Sequence, residues 1–199
     1  MSVANYLTFI RIFISPIFMF LYLEHDLLGI SAVVLPYILL FLLGVSELSD
    51  AFDGYFARKF QQVTELGKLL DPMADSIYRI SVFLTFTQPP VNLPLLIVFV
   101  FLYRDSVIST LRTICALRGF TLAARPSGKI KATIQGFSAF IILFMMIPYS
   151  MALVPYSVLR GTAITVVSIA AAYALFSGIE YIWANRDYVI RLLTDKSSR

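Results

Sequence analysis

The sequence predicts an all-α integral membrane protein that crosses the bilayer six times and has both termini on the cytoplasmic side. Of its 199 residues, 59% are hydrophobic and only 14% are charged. This composition is far too apolar for a soluble domain but ordinary for a polytopic membrane protein. The hydrophobic residues form six long segments without period-two alternation, which indicates helices rather than strands. The net charge of +4 follows the sides of the predicted membrane, so it gives no reason to expect a nucleic acid as partner.

Each hydrophobic segment is near the roughly 20 residues that a helix needs to cross a bilayer. The six segments span residues 7–23, 28–48, 66–86, 93–117, 130–147 and 159–183. On one side of the membrane they are joined by short connections, at residues 24–26, 88–92 and 148–158. Residues 1–199 are therefore expected to form one membrane domain.

Basic residues on the remaining connections and in the C-terminal tail predict the orientation. These residues are Arg58, Lys59, Lys68, Arg118, Arg125, Lys129, Lys131, Arg186, Arg191, Lys196 and Arg199. The opposite connections hold no basic residue before Arg160. Because cytoplasmic loops carry an excess of lysine and arginine, both termini and the connection between the second and third segments are expected in the cytoplasm.

Four aspartates flank that cytoplasmic connection. Asp50 and Asp53 are spaced i, i+3, and Asp71 and Asp75 are spaced i, i+4, so each pair shares one face of a helix. An aspartate at the centre of a membrane helix costs ~2.5–3.5 kcal/mol on insertion scales, which a bound cation would offset. Ligands that are all oxygen suit Mg²⁺ or Mn²⁺, or Ca²⁺, better than zinc. The alternative is a set of interfacial carboxylates that pair with Arg58, Lys59, Lys68 or Arg79.

The last hydrophobic segment has two features with structural interpretations. Tyr181, Trp183 and Tyr188 near its end are typical of an interfacial aromatic belt. Its small residues favour close helix packing or, alternatively, a contact in a homodimer. These small residues are Ser168, Ala171, Ala172, Ser177 and Gly178.

The aspartates belong to a longer pattern that resembles the signature of the CDP-alcohol phosphatidyltransferases. All eight positions of that signature are present at the family's spacing. They are Asp50, Asp53, Gly54, Ala57, Arg58, Gly67, Asp71 and Asp75.

The resemblance implies a metal-dependent transfer reaction. One or two Mg²⁺ or Mn²⁺ ions would be held by the four aspartates and would bind the pyrophosphate of a CDP-linked lipid, CDP-diacylglycerol. An acceptor hydroxyl would attack the β-phosphorus, with Asp75 as general base, and CMP would leave. Gly54, Ala57 and Gly67 would let the nucleotide approach the helices closely. Arg58 would either pair with the pyrophosphate or brace an aspartate.

Further patterns are similar to the phosphatidylglycerophosphate synthases of that family, whose acceptor is sn-glycerol 3-phosphate. They are Asn5-x-Leu7-Thr8-x-x-Arg11, Arg104-Asp105, Leu111-Arg112, Gly128-Lys129-Ile130-Lys131 and Ser177-Gly178-x-x-Tyr181. A phosphorylated acceptor needs a cationic pocket, for which Arg104, Arg112, Lys129 and Lys131 are the candidates. Otherwise these residues anchor lipid headgroups. Arg118 and Arg125 are expected only to solvate their loop.

Other activities stay open at this point. Cardiolipin synthases of the same family, which use phosphatidylglycerol, also resemble the Arg104-Asp105 form, and members that use inositol phosphate are a third choice. From a different class, a divalent-cation transporter would use the aspartates as a pathway.

The location expected is the inner membrane, with the active site facing the cytoplasm.

Overall fold

The computed structural model describes residues 3–59, 65–117 and 125–194. These ranges contain helices and turns and no β-strand, so the predicted all-α class is confirmed. The helices are α1 (Val3–Glu24), α2 (Leu35–Lys59), α3 (Glu65–Thr85), α4 (Leu95–Leu117), α5 (Pro126–Ser150), α6 (Tyr156–Ala184) and α7 (Arg186–Thr194).

Helix α2 begins later than the hydrophobic pattern predicts. Residues 25–34 form turns in which Gly29 adopts a φ of +68°, a left-handed conformation that glycine enters without steric cost. Pro36 then occupies the first turn of α2, where a missing N–H is tolerated. The apolar residues at 27 and 28 therefore belong to a turn and not to the helix.

Two other helix boundaries follow from local chemistry. Proline stands at the first position of α5 and at the N-cap of α6, so both helices begin before the hydrophobic segments that predict them. Asn185 ends α6, with its side-chain amide donating to the Tyr181 carbonyl over 2.7 Å. The short helix α7 that follows was not predicted.

The core runs through the middle of the helical bundle. Phe86 contacts the rings of Phe18, Tyr22 and Phe83 edge-on at centroid distances of 6.0–6.3 Å. Small buried residues of α6, including Ala163 and Ala170, let it lie close against α5. Of the small residues singled out in the sequence, Ala171, Ser177 and Gly178 are buried, which fits close packing, whereas Ser168 and Ala172 are exposed.

Contacts between helices define the two ends of the bundle. At one end, the Tyr22 hydroxyl donates to the Gln88 carbonyl and the Asn92 amide donates to the Tyr156 hydroxyl. At the other end, α4 meets α6 where Arg112 contacts Tyr181, and α5 meets α6 where Ser127 donates to Glu180. The connections at 25–34, 86–94 and 151–155 thus share one end, and the ends of α4 and α6 share the other.

Apolar side chains cover much of the outer surface. Phe13, Phe41, Leu96 and Phe144 are each more than half exposed. Among the described residues, two helices are long and apolar enough to cross a membrane: Pro126–Ser150 and Tyr156–Ala184. These features indicate a membrane protein.

Candidate active site

A cavity of about 580 Å³ lies at the end of the bundle where Arg112 meets Tyr181. It is formed by α2, α3, α4 and α5, and its lining contains four arginines, one lysine, two carboxylates and two phenylalanines. The lining residues are Glu47, Asp75, Arg79, Arg104, Arg112, Arg125, Gly128, Lys129, Ala132, Thr133, Gly136, Phe137 and Phe140. A carboxylate proposed as general base thus shares one chamber with several cations.

Asp75 lies on α3 with its side chain 31% exposed in this cavity. Its Oδ1 accepts a hydrogen bond from Nη1 of Arg11 on α1, and the Arg11 side chain is only 1% exposed. An arginine buried in a hydrophobic helix needs such a partner, and the charge-assisted bond fixes the Asp75 carboxylate. Arg11 belongs to one of the family patterns, but its role is not predicted by that pattern; the signal available in the sequence is a charge inside a hydrophobic run.

The other three aspartates occupy helical positions, as predicted. Asp50 and Asp53 are in α2, and Asp71 is in α3 with Asp75. Their side chains lie outside the described residues, as do those of Gly54, Ala57, Arg58 and Gly67. Within the described side chains, no group of three His, Cys, Asp or Glu residues is placed to hold a metal ion. The donor chemistry of the full set, four carboxylates, fits a hard cation.

Arg79 lies one helical turn beyond Asp75 and is buried. Its Nη1 donates to Oε1 of Glu47 over 3.1 Å and to the Ala132 carbonyl over 2.9 Å, so it ties α3 to both α2 and α5. Gly136 gives this pair room, because a Cβ at that position would come within 3.3 Å of the Arg79 guanidinium. From the sequence, Arg79 is expected only as a candidate interfacial partner for the aspartates.

Arg104 and Arg112 enter the cavity from α4. Arg104 donates to Oδ1 of Asp105 and to Oγ of Ser177, both over 3.0 Å. Arg112 donates from Nε to the Tyr181 hydroxyl over 3.1 Å, and its guanidinium carbon is 5.1 Å from the centroid of that ring. No carboxylate of the described residues forms an ion pair with Arg112.

The two candidate lysines take different places. Lys129 lines the main cavity beside Arg104 and Arg112. Lys131 is buried, and its Nζ donates to both oxygens of Asp105 over 2.7 and 2.8 Å. It lines a smaller neighbouring cavity of about 130 Å³. The structure therefore brings three of the four predicted acceptor residues together in the main cavity and places Lys131 behind Arg104.

Two interpretations from the sequence are wrong. Arg125 does not merely solvate a loop, because it lines the cavity and its Nε lies 2.8 Å from Oε1 of Glu180. Tyr181 is not part of an aromatic belt, because it is only 1% exposed and binds Arg112. Trp183, at 66% exposure, lies on the surface, as a belt residue would.

A comparison with protein families identifies the class of protein. Residues 1–177 match the family model described as CDP-alcohol phosphatidyltransferase, so the chain belongs to the CDP-alcohol phosphatidyltransferase family, and the resemblance seen in its signature is confirmed. The chain is accordingly a transferase. Members of this family generally depend on a divalent cation.

Comparison with individual proteins shows which members of the family this chain is similar to. A CDP-diacylglycerol--glycerol-3-phosphate 3-phosphatidyltransferase of Bacillus subtilis is 29% identical over 192 residues, which cover 92% of this chain and 95% of the relative. An enzyme of the same name from Aquifex aeolicus is 40% identical over 106 residues, 53% of this chain and 54% of the relative. A cardiolipin synthase (CMP-forming) of Streptomyces coelicolor is 32% identical over 120 residues, 60% of this chain and 54% of the relative.

Proposed function

We propose that this protein transfers a phosphatidyl group from CDP-diacylglycerol to sn-glycerol 3-phosphate and releases CMP and phosphatidylglycerol phosphate. The observation that carries the proposal is that Asp75 lines the same cavity as Arg104, Arg112 and Lys129. An acceptor held by its phosphate on the cations would present its free hydroxyl within the chamber that contains the carboxylate. The names of the Bacillus subtilis and Aquifex aeolicus relatives agree with this pair of substrates.

Arg112 is the residue best suited to hold the acceptor phosphate. Its Nε is used by Tyr181, which leaves the two terminal nitrogens for a bidentate contact with phosphate oxygens. Lys129 supplies a second positive charge at the same wall. Arg104 contributes less charge, since Asp105 already pairs with it.

Asp75 is proposed as general base for the attacking hydroxyl. The hydrogen bond from Arg11 holds one of its oxygens, so the other can face the acceptor. Asp50, Asp53, Asp71 and Asp75 would hold one or two Mg²⁺ or Mn²⁺ ions, which would neutralise charge on the phosphoryl oxygens. Gly54, Ala57, Arg58 and Gly67 are proposed to bind the CDP-lipid.

The proposed setting is the inner membrane, with a single domain of residues 1–199, six membrane spans, and both termini and the active site on the cytoplasmic side. Two features support this topology: the apolar outer surface and the concentration of Arg112, Arg125, Lys129 and Arg186 at the end of the bundle that holds the cavity. A homodimer is part of the proposal and rests on the small residues of α6.

A second candidate is the synthesis of cardiolipin with phosphatidylglycerol as acceptor. The Streptomyces coelicolor relative favours it, and Phe137 and Phe140 give the cavity an apolar side. We prefer glycerol 3-phosphate because several cations in one chamber suit a phosphate monoester, a dianion, better than a diester with one charge. Members that use inositol phosphate are a third choice. Membership of a transferase family disfavours the cation transporter.

The proposed reaction is tested by the release of CMP from purified protein in detergent. With CDP-diacylglycerol and labelled glycerol 3-phosphate, we expect CMP and a labelled lipid in equal amounts in the presence of Mg²⁺ or Mn²⁺, and neither product with EDTA. A reaction without acceptor measures hydrolysis as the control. An unchanged rate in EDTA would contradict metal dependence. If the preparation releases CMP but forms no labelled lipid, glycerol 3-phosphate is not the acceptor.

Arg112→Ala is expected to raise the KM for glycerol 3-phosphate about tenfold to a hundredfold. The estimate corresponds to the loss of hydrogen bonds to a charged group, about 1.5–3 kcal/mol. The KM for CDP-diacylglycerol should stay unchanged. Arg186→Ala is the matched control, because Arg186 is an exposed arginine at the same end of the bundle and outside the cavity. Equal effects of the two substitutions would show that Arg112 acts only as a headgroup anchor.

A further inference from the structure

Helix α6 supports the cavity from behind. None of its described residues lines the main cavity, yet the C-terminal part of α6 contacts three arginines that do. Ser177 and Gly178 contact Arg104, Glu180 contacts Arg125, and Tyr181 contacts Arg112.

Tyr181 orients Arg112 without neutralising it. The hydroxyl accepts a hydrogen bond from Nε over 3.1 Å, and the ring lies against the guanidinium at 5.1 Å. A carboxylate in this place would also orient the arginine, but it would compete with phosphate for the positive charge. Because Tyr181 is neutral and buried, it fixes the direction of Arg112 and leaves its charge available to a ligand.

Ser177 and Gly178 fix the position of the Arg104 side chain. The Ser177 hydroxyl donates to the Ala174 carbonyl over 3.0 Å, so its oxygen is directed to accept from Arg104 Nη2. A Cβ on Gly178 would come within 3.1 Å of Arg104 Cγ. The side chain of Arg104 therefore lies directly on the backbone of α6, and a Cβ at position 178 would require it to shift by a few tenths of an ångström.

We propose that Tyr181 is a positioning residue that sets the affinity of the transferase for the phosphate of its acceptor by aiming Arg112, and that Ser177 and Gly178 do the same through Arg104. This inference rests on the proposed function, because it assumes a phosphorylated acceptor in the cavity. A preoriented guanidinium loses less conformational freedom when it binds phosphate. The effect therefore belongs to acceptor binding and not to turnover at saturation.

The test is a comparison of Tyr181→Phe with wild-type protein. Loss of the hydroxyl, with the ring retained, is expected to raise the KM for glycerol 3-phosphate about fivefold to tenfold, in keeping with the net contribution of one ordinary hydrogen bond. The kcat and the KM for CDP-diacylglycerol should stay within about twofold. Tyr173→Phe is the matched control, since Tyr173 lies on the same helix, its ring contacts Phe176, and its hydroxyl forms no hydrogen bond within the part of the chain that the structure describes.

A double-mutant cycle separates positioning from a general structural effect. In the Arg112→Ala background, Tyr181→Phe should raise the KM no further, because the residue that it aims is gone. Gly178→Ala provides a second variant, and it is expected to raise the KM for glycerol 3-phosphate through displacement of Arg104. Size-exclusion profiles in detergent identify any variant that does not fold.

The outcomes distinguish this inference from the proposed function. Wild-type protein that releases no CMP with glycerol 3-phosphate would overturn the proposed acceptor. Wild-type protein that saturates with glycerol 3-phosphate, together with a Tyr181→Phe variant whose KM matches that of Tyr173→Phe, would overturn the inference alone. A lower kcat with an unchanged KM, or an undiminished effect in the Arg112→Ala background, would also overturn it.

Discussion

Asp75→Asn is expected to reduce turnover by about a thousandfold, within the range of about 10²–10⁴ that general-base catalysis contributes. The substitution preserves the shape of the side chain and an oxygen that can accept from Arg11. The fold should therefore survive, and binding of the CDP-lipid should be largely intact. What is lost is the ability to take a proton from the acceptor hydroxyl, together with one of the four negative charges proposed to hold the metal ions.

The measurement is the rate of CMP release at saturating concentrations of both substrates. Asp26→Asn serves as the control, because Asp26 is an exposed aspartate at the opposite end of the bundle. Turnover by Asp75→Asn equal to that of the control would remove Asp75 from the base role and leave the carboxylate as a partner of Arg11 only.

Asp105→Ala is expected to destabilise the protein by about 3–5 kcal/mol, the usual cost of removing one partner from a buried ion pair. Asp105 is buried and accepts from Lys131 through both oxygens and from Arg104 through one. Without it, the buried ammonium of Lys131 has lost its carboxylate and Arg104 has lost one of its two supports. The midpoint of thermal unfolding in detergent should fall sharply.

Two variants make this expectation specific. Asp187→Ala removes an exposed carboxylate on α7 and should leave the midpoint nearly unchanged. A double variant, Asp105→Leu with Lys131→Met, removes both charges and should recover most of the loss. An Asp105→Ala protein as stable as Asp187→Ala would contradict the structural role assigned to the pair.

Local patterns in the sequence predicted the features that depend on local chemistry. Helix type and the helical positions of the four aspartates follow from hydrophobic segments and from motif spacing. The grouping of Arg104, Arg112 and Lys129 follows from the resemblance to a family whose acceptor carries a phosphate. The start of α2 could not be placed, because the turn at Gly29 depends on a backbone conformation inside an apolar run. The separate helix α7 follows the break at Asn185, which the hydrophobic pattern did not reveal.

Partnerships between distant residues were beyond the sequence. Arg11 and Asp75 are 64 positions apart, and Arg112 and Tyr181 are 69 positions apart. Tyr181 has the residue type and the position of a belt residue, and only the packing of α6 against α4 shows that it is buried. Lys129 and Lys131 are both cations on α5, but they lie on different faces of that helix. Lys131 therefore binds Asp105, whereas Lys129 lines the cavity.

The central claim is that the cavity at Asp75 receives a phosphorylated acceptor. Its most direct test is the kcat/KM for CMP release with glycerol 3-phosphate, inositol phosphate, inositol, serine and phosphatidylglycerol, each offered separately with CDP-diacylglycerol and Mg²⁺. We predict the highest value for glycerol 3-phosphate and values at least about a hundredfold lower for inositol and serine, which lack the phosphate that Arg112 would bind. A value for inositol or serine equal to that for glycerol 3-phosphate, or the highest value for phosphatidylglycerol, would contradict the account.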